Sequence, residues 1–510
     1  MKRAPVTLLV ALVLNTACVF AQTVSTRTTS MFAESYDAYI RKTLERFPDI
    51  PAIAVVVIKG DKPIFVRAYG IADKETGTKA NTNTLFYIAS STKSFTALAA
   101  ALLDREGKIK LADPVNKYTS GMHVTTPIPD KVLVRDLLIH TSGLDNDALA
   151  FRMAYSGESD PRDMTRVFAR GTTYSDANFG RYRYDNLGYN VYAVLLQNEL
   201  HTKWQDVLRS RILDPLGMSH TTPYISKAAS KKWTVAAPYI FNPQSGKMIR
   251  SPLEKQDNNL QSAGGLFASI SDIGRWLNMN MNDGRLDGKQ IFPADVVRAV
   301  HTGYTKTVRE VPPFTGEGEY GLGWQIGKYK NDRVIYHHGG FPGYQSHISF
   351  MPDKRIAVAV LTNDGFAGGR AVHLLATYAY DLLLGSPNVE SDYSKQLQEF
   401  VDSYEKGKQQ QMRAAADRAK RTSQLTRPLA EYAGKYVNEL FGTVQVDAGG
   451  SDLTVKMGNI SVVSTPFTAP ETIRVEMVPG SGEVIKFNKD SEGKIVSLTY
   501  ASATFARSAP

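Results

Sequence analysis

Cysteine is almost absent from this chain of 510 residues, which has one, Cys18. That residue lies in an N-terminal segment that we expect to be cleaved after Ala21. A protein trimmed in this way has no disulfide, no thiol nucleophile and no cysteine ligand for a metal ion. Enzyme classes that depend on a cysteine side chain are therefore excluded for the trimmed chain.

The chain also has only a small excess of positive charge and few long apolar runs. The chain has 60 Lys and Arg residues against 50 Asp and Glu residues, a net charge of +10. That excess is modest for this length and does not indicate nucleic-acid binding. Beyond the N-terminus, no stretch is long and apolar enough to span a bilayer. A hydrophobic content of 43% and a charged content of 22% are typical of a globular protein and exclude a disordered or collagen-like chain.

The first residues predict export. Two basic residues precede a short apolar run at residues 6–14, and a small residue, Ala21, ends the segment. This pattern is typical of a secretory signal peptide, and the run is too short for a membrane span. We expect a signal peptide over residues 1–21 and a periplasmic or secreted protein. The alternative, a lipoprotein lipidated at Cys18, is disfavoured because Asn15 stands where an aliphatic residue is expected.

Apolar periodicity predicts strands at both ends of a long N-terminal region and helices between them. The expected strands cover residues 52–58, 63–68, 345–350 and 356–362, and the expected helices cover 90–103, 133–139, 189–200 and 272–281. We expect Ser271 to cap the last of these helices. Strands from both ends would share one sheet, so the predicted fold class is α+β, with an antiparallel sheet flanked by helices.

The C-terminal part differs in composition, and the chain is long enough for a large domain and a smaller one. Residues 391–427 are basic and helix-prone, and Pro428 ends that segment. We interpret it as a solvated helical linker, with a docking patch for an anionic polymer as the alternative. Over residues 428–508, short alternating segments separated by Gly and Asp predict a small all-β, barrel-like domain.

The most specific chemical signal is a Ser-x-x-Lys pattern at Ser90 and Lys93, between a strand-like segment and a predicted helix. A three-residue step places both side chains on one helix face. An amine in that position takes the hydroxyl proton and makes the serine a nucleophile, and free N–H groups at a helix start stabilise an oxyanion. The same spacing recurs at Ser403 and Ser491 without that strand-to-helix context, and we interpret both as chance matches.

Two further patterns carry polar groups suited to the same reaction. Tyr184 and Asn186 precede a predicted helix; the phenol is a potential general acid or base, and the amide a potential partner for a substrate carbonyl or the lysine. A packed tyrosine and a turn asparagine are the alternative. His337, Gly339 and Gly340 precede a strand, where glycines let the backbone approach a ligand and donate to an oxyanion. A metal site at the adjacent histidine pair is disfavoured, since no Asp or Glu lies at suitable local spacing.

In this order, the three patterns resemble one family, the serine hydrolases of the class C β-lactamase and low-molecular-weight penicillin-binding protein type. The resemblance covers residues 32–390 and implies a β-lactamase/transpeptidase-like sheet flanked by helices. Residues 428–508 look like the lipocalin-like barrel attached to some peptidases of this family. Flanking segments that also match are His140-Thr141-Ser142-Gly143-Leu144, Leu111-Ala112-Asp113-Pro114-Val115, Gly264-Gly265-Leu266, Tyr320-Gly321-Leu322-Gly323-Trp324 and Val360-Leu361-Thr362-Asn363.

The resemblance implies a role for each matching residue. Ser90 would be the acylated nucleophile and Lys93 its proton partner. Tyr184 would activate the deacylating water or protonate the leaving group, and Asn186 would orient the lysine and the substrate. The backbone N–H groups of Ser90 and Gly340 would form the oxyanion hole.

His337 departs from the pattern of the family's lactamases, in which a lysine at this place pairs with the substrate carboxylate. A neutral histidine does so less well. His-x-Gly is more typical of the family's peptidases and esterases. The exchange argues against β-lactam hydrolysis and leaves acyl transfer intact.

We therefore expect a secreted serine hydrolase that works through an acyl-enzyme and uses no cofactor and no metal. The expected substrates are small peptides or amides, including D-residue-containing or peptidoglycan-derived ones, in a pocket lined by residues 145–173. Alternatives are an esterase, a β-lactamase and a non-catalytic peptidoglycan-binding protein. A zinc β-lactamase is disfavoured because a clustered His-x-His-x-Asp ligand set is missing. We expect no nucleic-acid partner, and the sequence does not set the oligomeric state.

Overall fold

A nine-stranded antiparallel sheet organises the larger part of the protein, whose computed structural model describes residues 30–307 and 312–508. The predicted signal peptide, residues 1–21, lies outside the described residues. In chain order the strands are β1 Ala52–Lys59, β2 Lys62–Asp73, β3 Thr78–Lys79, β4 Thr305–Lys306, β5 Thr315–Tyr320, β6 Gln325–Tyr329, β7 Asp332–Phe341, β8 Tyr344–Met351 and β9 Ile356–Thr362. Their order across the sheet is β4-β5-β6-β7-β8-β9-β1-β2-β3.

The first strand of the sheet pairs with the last one. Strand β1 lies antiparallel to β9, with Ile53 opposite Thr362, and antiparallel to β2 on its other side. Its residues are buried up to Ile58, as a continuous apolar run between two covered faces requires. This pairing confirms the predicted α+β class, in which strands from both ends of the domain share one sheet.

Helices cover both faces of this sheet. A core that includes Tyr36, Tyr378 and Tyr393 joins α1, α6 and α7 to one face. On the other face α2 packs on α5, where the rings of Phe95 and Trp276 stack at 3.8 Å. The helices longer than ten residues in the described ranges are α1 at residues 30–46, α2 Thr92–Arg105, α3 Pro161–Gly171, α4 Leu187–Leu200, α5 Ile270–Met281, α6 Gly368–Leu384 and α7 Val389–Ala419.

Shorter elements fill the segment between β3 and β4 and frame the cleft described below. The strands among them are Leu85–Tyr87, Leu144–Asp145, Thr173–Tyr174, Thr221–Thr222, Tyr239–Asn242, Lys247–Arg250, Phe267–Ser269, Arg285–Leu286 and Lys289–Gln290. The short helical turns are Ala89–Ser91, Val115–Tyr118, Val134–Leu138, Asp147–Phe151, Arg152–Ser156, Trp204–Leu208, Arg209–Leu213, Asp214–Leu216, Ile225–Ser230, Asp257–Asn259 and Ala294–Val300, and Leu429–Tyr432 lies before the C-terminal domain.

The C-terminal domain is a second antiparallel sheet of nine strands. They are β10 Gly434–Asn438, β11 Gly442–Gly449, β12 Asp452–Met457, β13 Ile460–Val463, β14 Thr465–Pro466, β15 Thr472–Val475, β16 Glu483–Lys489, β17 Ile495–Tyr500 and β18 Ala503–Arg507. The order is β13-β12-β11-β10-β18-β17-β16-β15-β14, so the two end strands follow each other in the chain. The sheet curls into a nearly closed barrel, which confirms the predicted barrel-like domain.

The barrel packs against residues 151–171 of the larger domain. The backbone N–H of Asn459 donates to Ser156 O at 2.7 Å. The ring of Phe151 lies 6.2 Å from that of Tyr500. Apolar residues of the barrel and of the larger domain form one continuous buried cluster, so the two domains share an apolar contact.

The prediction of Ser271 as a helix cap is wrong. Helix α5 begins at Ile270, and its N-cap is Ser269, whose Oγ accepts the N–H of Asp272 at 3.2 Å. Ser269 ends a strand and already has the extended backbone that an N-cap needs. The Ser271 hydroxyl donates instead to Thr82 O at 3.0 Å.

The segment interpreted as a solvated linker is solvated only in its later part. Helix α7 begins at Val389 and buries Tyr393, Leu397 and Phe400 against the larger domain. The charged stretch seen in the sequence lies further along the same helix, and its side chains are mostly exposed. Within the described ranges, no helix combines the length and apolar character needed to cross a bilayer.

Candidate active site

The nucleophile candidate lies on a tight turn between a strand and a helix. Strand Leu85–Tyr87 leads into the turn Ala89–Ser91, and α2 follows directly. Ala89 has φ +45°, a backbone region that residues with a Cβ rarely adopt, so the turn is strained. Ser90 is partly exposed at the start of α2, while its neighbours Ser91 and Thr92 are fully buried. The turn thus leaves the Ser90 hydroxyl partly exposed, while the N–H groups of Ser91 and Thr92 donate to Ile88 O and Ala89 O.

Lys93 is fully buried one turn later, with its Nζ 3.2 Å from Ser90 Oγ. The amine also donates to Asn186 Oδ1 at 2.7 Å and to Ala263 O at 2.9 Å. Burial lowers the pKa of Lys93 to about 7, and the charge of Asp185 opposes this effect. A large fraction of the amine is therefore unprotonated at neutral pH and able to accept the Ser90 proton.

Tyr184 forms the open wall of the same site. Its ring centroid lies 4.9 Å from Lys93 Nζ. The residue is 43% exposed toward the cleft. Desolvation still raises the pKa of its hydroxyl, and hydrogen bonding with Ser90 opposes that rise. Tyr184 therefore keeps its proton at neutral pH and is a proton donor rather than a phenolate.

His140 and Asp185 support Tyr184 from behind. The ring of His140 lies 4.6 Å from that of Tyr184, and its Nδ1 accepts the backbone N–H of Asp185 at 3.3 Å. Burial lowers the pKa of His140, so the ring is neutral. Burial would raise the pKa of Asp185, but the nearby His140 side chain and the hydrogen bond from the Gly188 N–H lower it overall. Asp185 is thus a partly exposed anion whose carboxylate accepts the Gly188 N–H at 3.1 Å and orders the Tyr-x-Asn segment.

Strand β7 brings two glycines against the nucleophile turn. A Cβ on Gly339 would lie 2.0 Å from Ile88 O, so no other residue fits there. Ser346 on β8 donates to the same carbonyl at 2.8 Å and holds the two segments together. Gly340, the next residue, is exposed. Its pairing with the Ser90 N–H in an oxyanion hole stays a prediction.

His337 is buried, 1% exposed, and both of its ring nitrogens are engaged. Nδ1 lies 2.7 Å from the carbonyl of His338, which can only accept, so we assign the ring proton to Nδ1. Nε2 then accepts from the Tyr320 hydroxyl at 3.2 Å. Burial, with help from the Lys93 charge, lowers the pKa of His337 to about 3, and the ring is neutral. In this arrangement His337 orients Tyr320, and its direct contact with a substrate stays a prediction.

The Ser-x-x-Lys match at Ser403 lies far from this cleft. Ser403 is on α7, where its Oγ accepts from Arg370 at 2.8 Å and donates to Phe400 O at 2.8 Å. The match at Ser491 lies in the turn between β16 and β17 of the barrel. Neither place joins a strand to a helix start.

Three groups of the site were missed from the sequence. The Ala263 carbonyl is a backbone atom, and no side-chain pattern marks it. Tyr320 lies in a flanking match, and no chemical pattern in the sequence marks its hydroxyl. Lys255 is buried, and its Nζ lies 4.0 Å from the ring centroid of Phe341, the residue after Gly340. Burial lowers the pKa of Lys255 to about 7, as it does for Lys93, but no motif surrounds this second lysine.

A cleft of about 330 Å³ adjoins the Tyr-x-Asn segment. Its lining includes Asn186 and the cations Arg181 and Arg183. Asp145 and Asp147 also line it and belong to the segment predicted to form the substrate pocket. The cleft therefore offers both signs of charge beside Asn186, the residue that accepts a hydrogen bond from Lys93.

The turn-borne serine, the neutralised buried lysine and the tyrosine define a serine acyl-transfer site on an antiparallel sheet flanked by helices. A sequence profile of the Beta-lactamase family matches residues 40–379. The chain belongs to that family, and it is a serine hydrolase of the penicillin-binding-protein-like type.

Relatives and solved structures agree with this assignment. An unguisins hydrolase of Aspergillus campestris is 26% identical over 79% of this chain and 75% of its own length. Protein flp of Staphylococcus aureus is 24% identical over 66% of this chain and 64% of its own length. The octameric penicillin-binding protein homologue from Pyrococcus abyssi shares the fold with a TM-score of 0.60, 22% identity and coverage of 93% and 99%. The D-amino acid amidase from Ochrobactrum anthropi has a TM-score of 0.54, 20% identity and coverage of 71% and 98%.

Proposed function

We propose that the protein hydrolyses small peptides or amides through an acyl-enzyme on Ser90. The observation that carries this proposal is the buried Lys93, whose pKa is lowered to about 7 at 3.2 Å from Ser90 Oγ. Ser90 Oγ attacks the substrate carbonyl carbon while its proton passes to Lys93 Nζ. The tetrahedral oxyanion then lies between the N–H groups of Ser90 and Gly340.

Tyr184 completes the proton path in this proposal. Because its pKa is raised, its hydroxyl donates a proton to the leaving amine nitrogen as the C–N bond breaks. Lys93 returns its proton to the tyrosine oxygen, which leaves an ester on Ser90 and a neutral amine product. A water molecule then attacks the ester by the same route in reverse, and Ser90 regains its proton.

Two features support amides and peptides over the alternatives. The neutral His337 stands where the family's lactamases have a cation for the β-lactam carboxylate. The cleft beside Asn186 carries both arginines and aspartates, which suits a short zwitterionic peptide better than a neutral ester. A relative named as a hydrolase and a fold neighbour named as a D-amino acid amidase are compatible with this substrate class.

A substrate panel tests the proposal. The protein and its Ser90→Ala variant are assayed with D- and L-amino-acid amides, short peptides including D-Ala-D-Ala, p-nitrophenyl esters and a chromogenic cephalosporin. We expect Ser90-dependent turnover of amides or peptides, with the cephalosporin slowest. Ester turnover without amide turnover would make the protein an esterase, and fastest turnover of the cephalosporin a β-lactamase. Peptidoglycan binding without any Ser90-dependent turnover would make it a binding protein.

We also propose that the protein is exported with cleavage after Ala21. This rests on the pattern of residues 1–21 in the sequence. Mass spectrometry of the protein from the periplasm or medium of an expressing bacterium is expected to find an N-terminus at Gln22. A lipidated N-terminus at Cys18 in the membrane fraction would favour the lipoprotein alternative, and an intact Met1 would contradict export.

A further inference from the structure

Three histidines meet on the face of the central sheet opposite to the active site. His338 on β7 and His347 on β8 are directly paired across the two strands. His373 reaches them from α6, and its ring centroid lies 4.2 Å from that of His338. One ring nitrogen from each histidine lies within 4.8 Å of the others. Two strands and a helix therefore converge on one point.

The nitrogens of this cluster lack the partners that buried polar atoms normally have. Among the described residues, no hydrogen-bond partner is found for His338 Nδ1 and Nε2, His347 Nδ1 or His373 Nδ1, although all four atoms are buried. Unsatisfied buried polar atoms are uncommon, and four of them at one point call for a ligand. An imidazole that binds a metal ion does so through the lone pair of an unprotonated ring nitrogen, and each of these rings has a buried nitrogen available for that role.

One contact directs the lone pair of His347 into the cluster. Its Nε2 lies 2.6 Å from Ser349 Oγ, which lies 2.7 Å from the Tyr380 hydroxyl. We assign the ring proton to Nε2, donating to Ser349, because this leaves Nδ1 unprotonated among the other two rings. A hydrogen bond from the far ring nitrogen is the usual support of a metal-bound histidine.

We propose that His338, His347 and His373 bind one divalent transition-metal ion, with Zn²⁺ as the best match. Three neutral imidazoles are a known zinc ligand set that leaves a fourth position for water. Mg²⁺ and Ca²⁺ prefer oxygen ligands, which this cluster does not provide. His347 is fully buried, while His338 and His373 are partly exposed.

The ion would fasten the β7–β8 hairpin to α6. The sequence alone disfavours a metal at the His337–His338 pair, because no Asp or Glu lies at suitable local spacing. The ligand His373 comes from α6, which begins after β9. His337 and His338 point to opposite faces of the sheet, so only His338 belongs to the cluster. The site is independent of the proposed function, since none of its three ligands faces Ser90.

Metal titration of the full-length protein tests this proposal. Chelator-treated protein is titrated with Zn²⁺ by calorimetry and with Co²⁺ by visible absorption, which is intense when the cobalt is tetrahedral. We expect one equivalent of either ion to bind. His347→Phe and His373→Phe should each lower the affinity at least 100-fold, and Ser349→Ala roughly tenfold, as for other residues that orient a ligand.

His301→Gln is the matched control, because His301 is also a buried neutral histidine but has a partner in Asn280 Oδ1 at 3.0 Å. Exposed His123→Gln controls for surface binding if the His301 variant fails to fold. Both should bind the ion like the wild type. No stoichiometric binding by the wild type, or binding by folded His373→Phe equal to that of the wild type, would overturn the proposal.

Discussion

Two neighbouring histidines on β7 have opposite surroundings. His337 faces the active site with both ring nitrogens bonded, whereas His338 faces α6 and, within the described ranges, neither of its nitrogens has a hydrogen-bond partner. Successive side chains of a strand point to opposite faces, so one dipeptide serves two separate sites. The same residue type is thus a fully satisfied positioning group on one face and an open ligand on the other. Buried ring nitrogens without hydrogen-bond partners, rather than two histidines adjacent in sequence, indicate a metal site.

The largest effect is expected from removing the nucleophile on the active-site face. Ser90→Ala should lower kcat/KM by about 10³-fold or more and abolish labelling by a fluorophosphonate. Labelling of a folded Ser90→Ala protein at Ser403 or Ser491 would contradict the assignment. The His338 face should be unaffected, so Zn²⁺ binding of this variant should match that of the wild type.

Lys93 and Tyr184 should behave as one unit. Lys93→Ala and Tyr184→Phe should each slow turnover on the order of 10²-fold or more, because each interrupts the same proton path. Combining them should cost much less than the product of the single losses. A double-mutant cycle of kcat/KM measures this coupling, and losses that simply multiply would show that the residues act independently.

The pH profile should follow the protonation of Lys93. Since the free amine is the active form, kcat/KM should rise as pH increases through about 7 and then level off. Asn186→Asp places a carboxylate beside Nζ and raises its pKa, so the rise should move to higher pH by roughly 1–3 pH units. Asn186→Leu removes the hydrogen bond without adding charge and should not produce that shift.

Lys255 provides the control for this pH profile, because burial lowers its pKa to about 7 as well. Lys255→Met should leave the rise near pH 7 in place. If the rise disappears in Lys255→Met and persists in Lys93→Ala, the group that titrates near pH 7 is Lys255 and not Lys93.

His337→Lys should favour ligands with a carboxylate. The introduced cation should raise the acylation rate of a penicillin relative to that of a neutral ester by roughly tenfold, which corresponds to about 1.4 kcal/mol, close to the lower end of the range for a hydrogen bond to a charged group. The matched variant is His338→Gln on the opposite face, which should leave the ratio unchanged. A ratio that changes only in His338→Gln would mean that the third motif is misaligned by one residue.

The smallest effect on turnover is expected from the opposite face. His373→Phe should leave kcat on the preferred substrate within about twofold, because the ring lies behind the sheet. The same variant should remove the Zn²⁺-dependent rise in the unfolding temperature that the wild type should show by mass action. Differential scanning fluorimetry with and without Zn²⁺ measures this rise. If chelation lowers the kcat of the wild type and added Zn²⁺ restores it, the two faces of the sheet are coupled.

Local patterns predicted much of the fold and of the candidate site. The continuous apolar run of β1 and the Ser-x-x-Lys turn are encoded in short segments, where periodicity and spacing carry the information. The side chains of Ser90, Lys93, Tyr184 and Asn186 lie close together in the structure, and their catalytic roles stay a prediction.

The features that could not be predicted from the sequence depend on contacts between distant residues or on backbone atoms. Ala263 contributes a carbonyl, which every residue has. His373 contributes a ligand atom only because α6 packs on the strand that carries His347. Ser269 and Ser271 are both suitable caps by composition, and the end of the preceding strand decides between them.

The pairing of β1 with β9 also determines when the sheet can form during synthesis. Ile53 cannot pair with Thr362 until the chain has been synthesised to that residue. At translation rates of roughly 5–20 residues per second, that delay is about 15–60 seconds. During this interval one edge of an apolar strand is open to pairing with other chains. The long sequence separation of β1 and β9 therefore extends the time during which the nascent β1–β2 hairpin is exposed to aggregation.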